Sequence, residues 1–528
     1  MRRSPLAIGH YANGRIECLE NDMKILKQET KRPPSEVNSR LFTAGTPQPS
    51  QIAPSVQNSC LGTPSTSDTY QIKLRAQTGS DAAMADLETL PHTYLYALVD
   101  SWFKETQPWI PILSRQHMQT ALEALPIPLI YIDDLVLRAV IALQIIHSSQ
   151  AICLGYQGRH RLSQYLRTEV LNEALSKASL NSLQALLIIA ILDYGSDNIL
   201  GTFSLLSVCR RMCENIGLFR KLLTQLELQS PAQIGPPAIG SNMGDELAIP
   251  LTWATLALDA VSTLGISWRD ASAALVDHLS SVANVSTPDL KDSFRTHTHL
   301  AAIALQPLHT FLFDHERSRY EQAEEEAYSA CDEIYHNLLS YVRAQPSTSH
   351  TLLADGLIDF DPHLILTSVL SHASVIILYQ RLVKLDTPPS EDVCLQRCLQ
   401  ASEDIVLAVR TISDTDAELN TPLLAMLLFV AARFKLLLYH TRDAPREPMF
   451  DTLMHGINMC GRRWPVARRL DIVLRAAIVE VDTKVTSSLP DEFWDVRKSH
   501  LDISEALKEW VQGYRHSLYV GALNGPYM

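Results

Sequence analysis

The chain has 528 residues, too many for one small core and enough for one large domain or two. Apolar residues make up 46% and charged residues 20%, the balance of a soluble globular protein, and only 20 glycines beside long Leu/Ala-rich runs favour helix over sheet. The formal charge of −13 argues against a folded body that grips nucleic acid through a general positive field.

The opening residues MRRSPLAIGHYANGR contain no apolar core of a secretory signal. Nine cysteines without framework spacing fit a reducing, cytosolic or nuclear compartment. In 13–28, Ile16, Leu19, Met23 and Leu26 alternate at three- and four-residue spacing, the seam of a short two-stranded coiled coil and a candidate dimerisation contact. The plainer reading is a short isolated amphipathic helix, which two heptads barely stabilise. Residues 30–85 are rich in Pro, Ser, Thr and Gln and poor in large apolar side chains, so they read as a disordered linker.

Helices then follow one another. LYALVDSWFKETQPWIPIL (95–113) is a helix running into an aromatic-proline knot of Trp102, Phe103, Pro108, Trp109 and Pro111, and 133–156 reads as an apolar helix. Ser179 or Asn181 caps a helix whose buried face is Leu183, Leu186, Leu187 and Ala190. After a break at Gly195, a further helix ends at Gly217, suited to the left-handed residue that closes a helix. Pro and Gly crowd 230–250, which reads as a surface loop, and helix resumes at 251–271 with Trp253, Leu258 and Asp259. A charged stretch, Glu316 to Glu326, precedes an apolar series of Ala330, Ile334, Leu338 and Tyr341. Pro362 opens the helix that continues through 363–383, and helices follow at 394–412, 421–439 and 453–477. Arg433 and Lys435 interrupt the apolar run 421–439, which marks a buried helix rather than a membrane span.

No H-E-x-x-H, G-x-S-x-G, P-loop or dinucleotide fingerprint occurs, and the chain reads as a non-enzyme. His372 reads as a packed helix histidine, and its neighbour Ser371 points to another face. The pairs Cys209/Cys213 and Cys394/Cys398 sit one helical turn apart, a spacing open to a soft metal but better explained as small apolar residues of a buried face. Arg210-Arg211, Arg462-Arg463 and Arg468-Arg469 read as solvated edges of apolar helices.

Three segments in this order, Gln107 to Leu113, Ser182 to Tyr194 and Val208 to Leu218, resemble the regulatory domain (the middle homology region) of fungal-specific transcription factors of the binuclear zinc-cluster family. Their patterns there are hPWhPIL, S-L-x-x-h-Q-A-L-L-L-h-A-x-h and A-x-R-M-x-x-x-h-G-L. Arg462, Arg463, Trp464, Pro465 and Ala467 match a helix-turn near the end of such domains. Between them Trp253 and Leu258-Asp259 keep part of the pattern, while Asp245-Glu246 precede them and the family's basic pair is absent.

The resemblance implies an all-α chain: linker end and coiled coil over 1–29, disordered linker over 30–88, a solenoid-like helical regulatory domain over 89–480 and a helical tail over 481–528. It implies a nuclear regulator of RNA polymerase II transcription that forms homodimers or heterodimers through the coiled coil and meets transcription coregulators and a small-molecule effector, with no membrane contact. The family reads DNA with six cysteines on two zinc ions, whereas only Cys18 and Cys60 precede residue 150. The expectation is therefore no cofactor in this chain, with zinc and DNA contact belonging to an upstream segment. The alternative is a helical cofactor or inhibitor without DNA binding that pairs with full-length relatives.

Overall fold

Polar residues at the mouths of apolar runs decide where the helices begin. The structure, a computed structural model, describes residues 81–524 except 149–153, 229–242, 266–291, 318–323, 346–349, 353–357, 386, 389, 413–420, 443–445 and 485–487. These residues belong to one compact unit, Ser67–Met528. The coiled-coil positions Ile16, Leu19, Met23 and Leu26 lie outside the described residues, as does residue 30 to 80 of the linker span; helix already occupies 81–88.

Helix α1 (His92–Ser101) runs into a π-helical turn, Trp102–Thr106, and a turn and an irregular segment beyond it lead to α2 (Arg115–Glu123). Asp134 caps α3 (Leu135–His147) by accepting from the Leu137 N–H, and α3 packs along α4 (Gly155–Ala174). Ser179, not Asn181, caps α5 (Leu180–Gly195), and Asn198 caps α6 (Ile199–Asn215). Gly217 closes α6 at φ +76°, the left-handed conformation expected of it. Then come α7 (Leu218–Leu228), α8 (Met243–Ser262), α9 (Ser293–His299) with a second π-helical turn Leu300–Ala304, α10 (Gln306–Arg317) and α11 (Glu324–Arg343). A small antiparallel hairpin, β1 (His350–Leu352) and β2 (Ile358–Phe360), pairs Thr351 with Asp359 ahead of α12 (Pro362–Tyr379). Pro362 sits in the first turn of α12, where its missing N–H has no partner to lose, and Asp361 caps it. The remaining helices are α13 (Val393–Arg410), α14 (Pro422–Arg442), α15 (Phe450–Arg463), α16 (Pro465–Thr483), α17 (Asp491–Trp494) and α18 (Ser504–Asn524). Apart from the hairpin, the described fold is all-α.

Helices apolar on every side must be surrounded. In α3, α5, α12 and α14 nearly every residue is buried. Chain neighbours pair, α5 with α6, α12 with α13 and α14 with α15, but α14 and α16 also pack on α5, so the core joins distant parts of the chain. Of the described helices, α12 and α14 are long and apolar enough to cross a membrane, yet 89% and 94% of their apolar windows are buried inside the fold.

Two expectations are corrected. The loop expected over 230–250 ends earlier, because α8 begins at Met243 and carries Pro250 within it. Ala248 and Leu251 are fully buried, and that packing outweighs the backbone hydrogen bond that the proline forfeits. The buried stripe of α11 is Ala327, Cys331, Ile334 and Leu338, whereas Ala330 is exposed. Steps of four alone drift around a helix, and alternating three with four keeps the stripe on one face.

The two cations within the apolar run of α14 are buried with partners. The Arg433 guanidinium donates to the carbonyls of Phe493 (2.8 Å), Lys498 (2.6 Å), Glu492 (3.2 Å) and Asp495 (2.6 Å), gathering the segment around α17 onto α14. Burial lowers its pKa to about 10, so it stays charged at neutral pH. Lys435 Nζ lies 3.0 Å from Glu447 Oε2. Arg433→Met leaves those four carbonyls without their donor, and we expect a loss of about 3–5 kcal/mol. Urea denaturation measures the loss, and limited proteolysis should cut the parent far more slowly than the variant within 491–498; equal stability and equal cutting would show that Arg433 does not hold the segment.

Candidate functional site

The knot after α1 passes from the π-helical turn through a turn at 107–109 into irregular backbone at 110–114, and irregular backbone inside a helical core needs partners for its polar groups. Trp102 is fully buried and donates from Nε1 to Gln107 Oε1 at 3.0 Å. Gln107 in turn donates from Nε2 to the Leu113 carbonyl at 2.9 Å. Trp109 Nε1 donates to the Glu105 carbonyl at 3.1 Å, and the Trp109 carbonyl lies 3.1 Å from His363 Nε2 on α12. Gln184 of α5 donates to the Ile112 carbonyl at 2.7 Å. Pro108 and Pro111 have no N–H to satisfy, so they suit this stretch.

The other end of the chain closes on the same place. Arg463, last residue of α15, pairs with Glu105 at 3.0 Å and donates to Thr106 Oγ1 at 3.0 Å and Gln144 Oε1 at 3.2 Å. Gln144 completes the ring by donating to Thr106 Oγ1 at 3.0 Å. The next residue, Trp464, is fully buried, with its ring 4.6 Å edge-on from the His147 ring. It also lies so close to Gly195 that a methyl group there would sit 2.2 Å from the ring. The knot and the Arg-Arg-Trp-Pro turn, far apart in sequence, are thus one joint in space.

The basic pairs expected at solvated edges are therefore divided. Arg211, Arg462 and Arg468 are exposed, while Arg210 pairs with Asp259, Arg463 with Glu105, and Arg469 with Asp197 at 2.8 Å and the Ser504 carbonyl at 2.8 Å. Asp259 belongs to the sequence pattern around Trp253, so that pattern serves here as a brace between α8 and α6. Bidentate pairing at 2.6 Å does the same for Arg167 of α4 and Asp193 of α5. Gln144, Gln184, Thr106 and Glu105 were missed by the sequence reading, although a glutamine inside an otherwise apolar helix was a usable signal.

Beside the joint the helices leave two unfilled spaces. One, with room of only about 30 Å³, is lined by Trp109, by Ala254 and Ala257 of α8, by Phe294 and His297 of α9, and by the start of α14. The other, about 10 Å³, lies among α5, α6, α8 and α14. Trp109, Leu258 and Leu423 line both and stand between them. His297 Nδ1 is 3.2 Å from Thr367 Oγ1, and burial pushes its pKa down to about 3, so the ring is neutral. These walls offer apolar contact and a few hydrogen bonds.

The cysteine pairs lie on buried faces, and burial raises the thiols, Cys213 to about 12 and Cys394 to about 11, which keeps them protonated. Among the described residues no group of three or more His, Cys, Asp or Glu side chains is placed to hold a metal ion. His372 is buried in α12, 3.7 Å from the Asp404 carboxylate.

No protein-family model matches the chain, and no solved structure does. Over 527 residues, 95% of this chain and 87% of the relative, it is 22% identical to the notoamide biosynthesis cluster transcriptional coactivator notQ' of Aspergillus versicolor.

Gly195→Ala drives a methyl into the Trp464 ring, and we expect a net loss of about 1–3 kcal/mol and a lower melting temperature. Gly513→Ala meets nothing within 4 Å and serves as the control, gaining up to about 1 kcal/mol of helix propensity. Equal behaviour of the two variants would refute the contact. Acid should also loosen the core. Burial holds His299 and His500 at about 4, below the roughly 6.5 of a free imidazole. Below that value the unfolded chain binds protons that the folded chain refuses. Stability is hence unaffected by these groups above pH 6.5 and falls as pH drops towards 4, by about 1.4 kcal/mol per pH unit for each such histidine. A urea midpoint unchanged between pH 7 and pH 5 would contradict this.

Proposed function

We propose that this chain is a fungal transcriptional regulator of RNA polymerase II genes that acts in the nucleus as a coactivator, through its helical body rather than by gripping DNA itself. The observation that carries the reading is similarity along almost the whole of both chains to a protein named as a transcriptional coactivator. The charge of −13 fits it, as does the use of Arg210, Arg433, Arg463 and Arg469 as internal braces, which removes those cations from any phosphate-binding face. DNA contact is then supplied from elsewhere, by a zinc cluster on another segment or on a partner paired through Ile16, Leu19, Met23 and Leu26. That second arrangement, a cofactor working beside a DNA-reading relative, is the one the word coactivator favours.

Tethering tests the reading. The full chain fused to a heterologous DNA-binding domain in a fungal host should raise a reporter bearing that domain's sites by fivefold or more, and the unfused chain should leave it unchanged. A reporter that stays at baseline, together with an unaltered transcript profile after deletion of the gene, would sink the proposal.

A further inference from the structure

Large apolar side chains exposed side by side on a folded body mark a surface that something else covers. Such a patch lies at one end of the α3–α4 pair. In the segment between α2 and α3, Ile127 is 88% exposed, Ile130 47% and Tyr131 56%, and Leu175, which closes α4, is 54% exposed. Arg138 joins the two parts, for it donates to the Asp133 carbonyl at 3.3 Å and meets the carboxylate of Glu173, two residues before Leu175. Resting on the reading of the chain as a coactivator that borrows its DNA contact, we propose that this ridge docks the DNA-reading partner, which meets it with an apolar groove edged by lysine and arginine.

Charge selects that occupant. Exposed acids frame the ridge: Glu123 at the end of α2, Asp133 just past Tyr131, and Glu173. Cations on the same side are committed internally, Arg138 to Glu173 and His117 to Asp134 at 3.0 Å, which leaves Lys177 beyond Leu175. A second copy of the chain would bring the same acids to the same place, and two bodies of charge −13 repel. A groove with a basic rim is complementary instead, and basic surfaces are what proteins that read DNA carry.

The ridge is also held in shape before it is met. Leu129 and Ile132, between and beside the exposed residues, are buried and anchor the segment to the core. Asp134 then fixes its end, accepting from the Leu137 N–H at 2.7 Å while it holds His117 of α2. An apolar surface ordered in advance loses little freedom when it is covered.

The test uses the full chain in the host that encodes it, with photoreactive benzoylphenylalanine in place of Tyr131. Irradiation should join it to a protein that itself binds DNA, within a segment of that protein rich in Lys and Arg. Two double variants alter exposed side chains alone, Ile127→Asp with Ile130→Asp and Glu123→Lys with Asp133→Lys. Each should melt as the parent does and lower both the crosslink and the chain's promoter occupancy by about tenfold. Fused to a heterologous DNA-binding domain, both should still raise the reporter as the parent fusion does, because tethering replaces the partner. A parent fusion that leaves the reporter silent would count against the coactivator reading, and the crosslink alone would then decide the ridge. No crosslink, a crosslink between two copies of this chain or to a protein that does not bind DNA, or one undiminished in the folded variants would each overturn the proposal.

Discussion

The Arg463 guanidinium, sunk between the turn after α1 and the end of α3, is the contact on which the rest of the described fold depends. A buried cation of this kind loses its hydration, and it is tolerated only because Glu105, Thr106 and Gln144 meet it together. Those three acceptors come from two separate segments, so satisfying one side chain fixes the π-helical turn, α3 and α15 in a single arrangement. Trp464, next in the chain, then has only the slot above Gly195 and beside His147 in which to lie.

Similar logic recurs through the core. Packing among Leu- and Ala-rich helices is strong but non-directional, and many registers bury nearly the same apolar area. Directional groups break the tie. Arg167 with Asp193 sets α4 against α5, Arg210 with Asp259 sets α6 against α8, and Gln184 sets α5 against the knot. In a low-dielectric interior each of these is costly when half made, so wrong registers carry a penalty that apolar contacts alone would not impose.

Much of the helical layout was legible from spacing and caps: Ser179, Gly217 and Pro362 do what their chemistry suggests, and the charged interruptions of α14 mark a buried helix. Of the site, the knot's aromatic residues and the Arg463-Trp464 turn were visible as separate segments. Their meeting was not, because the acid that neutralises Arg463 lies on the far side of the chain and no local pattern points to it. For the same reason Arg210 and Arg469 read as surface cations although Asp259 and Asp197 hold them inside. Pro250 and Ala330 misled for a different reason: local rules weigh one position at a time, whereas tertiary packing decides which helical face and which proline survive. Cavities leave no trace in sequence, since they are defined by what several distant residues fail to fill.

The separation of the joint's two halves has a consequence for how the polypeptide is made. When α5 leaves the ribosome it is apolar on every side, yet Trp464, which covers its end, and α14 and α16, which pack on it, have still to be translated. Native contacts this distant along the chain form late, and until they do the exposed helices invite chaperones and self-association. A message interrupted anywhere before the codon for Trp464 would therefore yield not a smaller working domain but a set of oily helices without their cover, material for the cell's proteases.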